Sequence, residues 1–317
     1  ESGMIHSTQQ SDMFLTWYRT NEQILVSEEN PYQIVLTALQ VSEEFLREQG
    51  IPCQGYYSVT IQSELDDQDS GTKYGLGSSG AVTVATVEAI LLYYGYELDP
   101  LLVFKLSVLT QARLNMTGSH GDLAASSFRG LVAYYSLDKS LLSEQMSVQG
   151  LSNLLASDWK DLQIKQIGLP APLELLVGWT GSAASTTHLV SHMKSKKTQQ
   201  SKEEIYSQFL NDSKVCVEQL IWACQNKDIP CIKQAVTRNR YLLRKFSEDM
   251  SLTIETPLLT ELCDSAEANG AVAKSSGAGG GDCGICLVDS QEQKEDIQII
   301  WEQAGIFPLP LTIAERN

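Results

Sequence analysis

Long apolar runs are missing from this sequence. Polar side chains break the longest candidates at helical spacing, so none reaches the roughly 18 apolar residues that would span a bilayer, and no membrane partner is expected. Positive charge is also scarce. Lys and Arg number 23 against 39 Asp and Glu, giving a formal net charge of −16, which argues against DNA or RNA as a partner. Any phosphate this chain holds must be held locally, by backbone N–H groups and a few placed cations, against an adverse overall field. The seven cysteines are odd in number and form no framework; they read as reduced thiols of a cytoplasmic protein. The pattern GxxxxGK[ST] is missing too, which excludes the loop of the common NTPases. The chain begins at Glu1, and "ESGMIHSTQQSDMF" shows no obvious opening element and no signal-peptide pattern. An N-terminal segment is therefore expected to precede it.

What is present is enough apolar residue, 43% of 317, to bury one large core or two ordinary ones. Ile34, Ala38, Val41 and Phe45 share a helical face over 31–50, with Asn30 as cap and Pro31 in the first turn. Tyr57, Val59 and Ile61 alternate as in a half-buried strand. Helices are expected over about 79–94 and from Asp99-Pro100 to about Arg113, and strands over 130–137 and 173–180. The stretch 202–246 reads as two helices broken near "NKDIP", and another helix starts at Thr256-Pro257 and ends near Asn269-Gly270. Then come a short strand, a glycine loop and a further strand. The mixed order implies an α+β fold with a join near 160–172, dividing the chain into 1–165 and 166–317.

Three stretches carry the chemistry. "KYGLGSSG" (73–80) precedes an apolar helix. Its glycines admit a ligand close to the backbone, and the helix start offers N–H groups and a favourable dipole to an anion. Ser78 and Ser79 add hydroxyls that suit phosphate or Mg²⁺, and Lys73 adds a point charge. The plainer reading is a glycine turn with a serine N-cap. "KSSGAGGGDC" (274–283) is a second such loop between apolar strands, too short for a linker. Asp282 closes it, where a structural turn role is at least as plausible as a chemical one. "GSHGDLAASSFRG" (118–130) sets Asp122 among small residues directly before a strand, where a carboxylate can orient a reacting group or accept its proton, or merely cap a turn.

In this order and spacing the three stretches resemble the GHMP kinase superfamily. Together with "LLVGWTGSAASTTHLV" they are most similar to its bacterial phosphomevalonate kinase branch. The resemblance covers nearly the whole chain and implies a two-domain α+β fold with the active site in the interdomain cleft. It implies ATP and Mg²⁺ as cofactors, and transfer of a phosphoryl group to the small-molecule substrate 5-phosphomevalonate, with no protein partner inferable. On that reading Lys73 and Asp122 are catalytic. Gly75, Leu76, Gly77, Ser78, Ser79 and Gly80 bind the nucleotide, and Ser79 also ligates the metal. Ser119, His120, Ser185, Thr186, Ser275, Ser276, Gly277, Ala278, Gly279 and Gly280 line the substrate. The superfamily's opening block, a strand with a lysine motif, has no counterpart here. Some members carry a glutamate metal ligand before the central aspartate, where this chain reads "LTQARLN" with Gln111. Another GHMP kinase, such as a mevalonate kinase, the related decarboxylase, and a catalytically silent ligand-binding relative stay open as alternatives.

Other signals weigh less. "CGIC" (283–286) has redox-motif spacing but falls on a strand, where i and i+3 face opposite sides. "HLVSH" (188–192) lacks the third ligand zinc needs, and "KSKK" (194–197) reads as a solvated loop. The aromatics of "TWY" (16–18) and "LLYYG" are expected in the core.

Overall fold

The computed structural model describes residues 2–8, 10–25, 30–67, 70–181, 199–277 and 279–314. The chain forms two compact units. The first comprises 1–64, 77–166 and 315–317, and the second 65–76 and 167–314.

In the first unit β1 (Gly3–Ser7) pairs antiparallel with β2 (Gln10–Trp17) and parallel with β5 (Ser58–Ile61). A small hairpin, β3 (Arg19–Thr20) and β4 (Gln23–Ile24), follows β2. The sequence showed no opening element because the inward positions of β1 are Gly3, Ile5 and Ser7, which make no apolar alternation. Gly3 lies opposite Trp17, and a Cβ there would fall 2.0 Å from the indole, so the tryptophan fills the space that a larger residue on β1 would have taken.

α1 (Gln33–Glu48) buries Val35, Leu36, Leu39 and Tyr32 against that sheet. Ala38, Val41 and Phe45 join the core of α2 (Ser78–Tyr93), α3 (Pro100–Arg113) and α4 (Gly121–Phe128). Asn30 accepts from the Tyr32 N–H at 3.0 Å, so it ties the entry turn while Tyr32 occupies the N-cap. Asp99 caps α3 as expected, accepting from Leu102 N–H at 2.8 Å. α4 is a correction. Asp122 does not sit directly before a strand, because a two-turn helix of small residues intervenes before β6 (Leu131–Tyr135). Helical packing of Leu123, Ala124 and Ser127 against the core decides this. β6 pairs with β7 (Gln163–Ile167), and α5 (Lys139–Val148) and α6 (Leu151–Ala156) lie between them in sequence.

A buried ion pair sits inside this unit. Glu43 is fully buried and takes two 2.6 Å bonds from Arg19, one of 2.8 Å from Tyr57 and one of 3.2 Å from Tyr94. Burial, followed by the Glu43 charge, pushes both tyrosine hydroxyls upward in pKa.

The second unit is a four-stranded sheet in the order β11 (Phe307–Leu309), β8 (Glu174–Trp179), β10 (Cys283–Val288), β9 (Val272–Ser275), antiparallel throughout. α7 (Gln199–Asn226) and α8 (Ile229–Met250) cover one face through Ala223, Cys224, Ile232 and Val236. α9 (Pro257–Ala268) and α10 (Gln291–Gln303) cover the other through Leu259, Leu262 and Trp301. Cys283 and Cys286 fall in separate apolar clusters, and burial pushes both thiols up to about 12, so "CGIC" is packing. Among the aromatics Trp17 is core, but Tyr18 and Tyr93 are exposed, against expectation. "HLVSH" and "KSKK" lie outside the described residues.

Candidate active site

In the first unit the site is built where α2 begins. Gly77 stands at the N-cap with φ +78°, a left-handed conformation that glycine adopts without a Cβ clash. No side chain caps the helix. The serine cap that the plainer reading required is therefore not there. Ser78 and Ser79 are the first two helical residues, and the first N–H groups of such a helix have no partner within it.

Asp122 lies across this helix start. A Cβ at Gly80 would fall 2.3 Å from Asp122 Oδ2, and one at Gly77 would fall 3.2 Å from Asp122 Cβ. Asp122 also occupies the first turn of α4, so two helix dipoles stabilise its charge. It is exposed, as a group that meets a ligand must be. The bareness of Gly80 thus makes room for a carboxylate.

The turn before α4 is held from both sides. Tyr134 donates its hydroxyl to Ser119 O at 2.7 Å, Lys139 Nζ donates to Gly118 O, and Gly121 N–H donates to Ser119 Oγ at 3.3 Å. Sequence reasoning missed Tyr134 and Lys139, which hold this turn, for neither belongs to a motif. His120 takes the N-cap of α4 with φ +63° and is 6% exposed. Its Nδ1 has no hydrogen-bond partner among the described residues. Burial first, then the Lys139 charge, pushes its pKa below the ordinary imidazole value, while Asp122 pulls it back.

In the second unit, Asp66 and Lys73 form an isolated antiparallel backbone β-bridge, and Tyr74 N–H donates to Leu65 O at 3.1 Å. Lys73 is exposed. Tyr74 packs edge-on against Trp179 at 5.0 Å, and Cys283 Sγ donates to Tyr74 O at 3.2 Å. Leu76 packs into the Val177, Trp179 and Cys283 cluster, which leaves it only its backbone to offer a ligand. A Cβ at Gly75 would fall 2.3 Å from Asp282 Cγ. Asp282 O in turn accepts from Thr180 N–H at 2.9 Å and Thr180 Oγ1 at 3.0 Å. The Asp282 backbone thus ties its turn to the end of β8.

In the second glycine loop, Ser275 ends β9 and is 2% exposed, whereas Ser276 is half-buried and Gly277 exposed. Gly280 N–H donates to Ile254 O at 2.7 Å, and a Cβ at Gly279 would fall 2.5 Å from that same oxygen. Ser185, Thr186 and Ala278 lie outside the described residues.

The donors fit the expected cofactors. An uncapped helix start suits a nucleotide phosphate, and a serine hydroxyl beside a carboxylate suits Mg²⁺. Among the described residues no group of three or more His, Cys, Asp or Glu could hold a metal, and Gln111 is buried within α3. A metal here would take most of its oxygens from phosphate or water, as Mg²⁺ usually does.

Residues 34–130 match the GHMP kinase N-terminal domain, and residues 220–306 match the GHMP kinase C-terminal domain. A phosphomevalonate kinase of Streptomyces sp. is 38% identical over 282 residues, covering 88% of this chain and 74% of that protein. A Lin0012 protein from Listeria innocua superposes with a TM-score of 0.90 at 33% identity, covering 99% of this chain and 86% of that one. Streptococcus pneumoniae phosphomevalonate kinase, in complex with phosphomevalonate and AMPPNP, superposes with a TM-score of 0.80 at 31% identity, covering 97% and 86%. Mevalonate kinases are more distant. The uncapped glycine start of α2, the aspartate across it and the matching domains at both ends of the chain agree: this protein belongs to the GHMP kinase family.

Proposed function

We propose that the chain is a phosphomevalonate kinase. An oxygen of the 5-phosphomevalonate phosphate attacks the γ-phosphorus of ATP, the bond from that phosphorus to the bridging oxygen breaks, and 5-diphosphomevalonate and ADP leave. The observation that carries this reading is the α2 start at Gly77, free of any capping side chain and faced by Asp122. The likeness to phosphomevalonate kinases over most of the chain supports the choice of acceptor.

Such a transfer needs positioning and charge stabilisation more than covalent chemistry. The nucleophile is largely ionised at neutral pH, because a second phosphate pKa lies near ~6. A strong general base is therefore unnecessary, and Asp122 orients groups by its charge. The N–H groups of Ser78, Ser79 and Gly80, together with the two hydroxyls, hold the nucleotide phosphates. Lys73 neutralises charge that develops on the transferring group. Mg²⁺, when bound, supplies further neutralisation, with Ser79 and Asp122 as the oxygen donors that would hold it. Ser119 and His120 of the first unit, and Ser275, Ser276, Gly277, Gly279 and Gly280 of the second, are the candidate acceptor-binding residues. All seven cysteines are free thiols, which supports a reducing compartment such as the cytoplasm.

The test is ADP release with Mg·ATP and each of mevalonate, phosphomevalonate and diphosphomevalonate. Turnover of about 1–100 s⁻¹ with phosphomevalonate, and little with the others, is the expected result. Preference for mevalonate would replace this reading with a mevalonate kinase. No turnover with any acceptor would favour a silent relative.

A further inference from the structure

Lys274 opens the stretch "KSSGAGGGDC" and carries no role of its own in the sequence reading. On β9 it shares a face with Val272, which packs into the α7 and α8 layer. The residue is half-buried, and no carboxylate acts on it among the described residues. The titratable groups that act on it are the thiols of Cys216 on α7 and Cys263 on α9. Burial pushes its pKa below the ordinary lysine value, the two thiols opposing this. A desolvated ammonium without an anion is costly, and an apolar side chain of similar volume is often as stable or more so. A lysine that only filled space would be the poorer choice here.

Its side-chain hydrogen bond among the described residues identifies its use. Lys274 Nζ donates to Ser275 O at 2.6 Å. The N–H of that same peptide unit belongs to Ser276 and donates to Cys283 O at 2.9 Å. Both polar atoms of the first peptide of the glycine loop are therefore fixed, the carbonyl by Lys274 and the N–H by the start of β10. Fixing that plane sets the direction in which the Ser276 side chain and the Gly277 backbone leave the strand. Gly280 N–H on Ile254 O holds the far side of the loop. We propose that Lys274 is a positioning residue, which orients the Ser275–Ser276 peptide so that the loop presents Ser276 and Gly277 to the phosphorylated acceptor. This rests on the kinase reading above for its functional consequence, but not for its structural content.

The experiment compares the full chain with Lys274→Met and Lys274→Arg. It uses hydrogen exchange over 272–290, melting temperature, and steady-state kinetics with phosphomevalonate and Mg·ATP. In Lys274→Met the amides of 276–282 should exchange faster while β8 and β10 keep their protection. The melting temperature should hold or rise, because a desolvated charge has gone. kcat/KM for phosphomevalonate should fall roughly 10- to 100-fold, the scale of a small misplacement. Lys274→Arg keeps a cationic donor and should restore part of both the exchange and the kinetics. Unchanged loop exchange in Lys274→Met overturns the proposal whatever the kinetics show, and so does faster exchange with unaltered kcat/KM. A marked drop in melting temperature with protection lost across the whole sheet would make Lys274 a structural residue instead. If the wild-type chain does not turn over phosphomevalonate, the kinase reading fails on its own, while exchange still decides whether Lys274 orients the loop.

Discussion

Gly80 lies in the first turn of α2, where alanine would ordinarily favour a helix by about 1 kcal/mol. Here its methyl group would fall 2.3 Å from Asp122 Oδ2, so the carboxylate must move. Gly80→Ala should lower turnover by roughly 10²-fold while the melting temperature stays level or rises, as activity and calorimetric melting would check. Asp122→Asn separates charge from shape. With an acceptor already ionised at neutral pH, we expect a large loss of kcat with near-normal substrate affinity and no recovery between pH 7 and pH 9. Recovery over that range would make Asp122 a general base, and full activity would leave it a helix-start residue. The sequence reading singled out Asp122 for catalysis and the glycines for access of a ligand to the backbone. Gly75 and Gly80 are bare because of Asp282 and Asp122, partners 207 and 42 positions away in a chain where no local pattern pairs them.

Elements were legible where their signals are local. α3, α8 and α9 begin at Asp99-Pro100, Asp228 and Thr256-Pro257, each with a side chain that accepts an N–H of its first turn. Those caps and prolines are readable without a fold. β1 and α4 were not legible, because each sets one large inward residue, Ile5 or Leu123, among small ones, a pattern that acquires meaning only from Trp17 and from the α2–α3 core. Arg240 on α8 shows the same dependence. It is 4% exposed and pairs with Glu255 at 2.7 Å, Asp264 at 2.6 Å and Glu267 at 2.8 Å. It thereby fastens α8 to α9 and to the segment before it. Arg240→Met leaves Glu255 buried without its cation, so the second unit should lose about 3 kcal/mol. Denaturant unfolding followed by Trp301, buried in that unit, would measure it, and a loss below about 1 kcal/mol would show that the cluster is solvated.

At the scale of the molecule, a net charge of −16 repels the anionic substrates of the proposed reaction. The Debye length shortens from about 30 Å at 0.01 M salt to about 8 Å at 0.15 M, which screens that distant repulsion before it screens contacts at the site. kcat/KM for phosphomevalonate should therefore rise severalfold over this range. A steady fall would mean that local cations such as Lys73 govern the encounter. Helix caps and apolar patterning suffice for the mixed α+β order, and the three glycine-bearing motifs for the resemblance to this family, because each is a short-range property of neighbouring residues. Which atoms those motifs meet is another matter. That 65–76 folds with the second unit and that Asp122 lies over the start of α2 follow from contacts between distant segments. Side-chain packing and backbone hydrogen bonding select those contacts only once the chain has closed on itself.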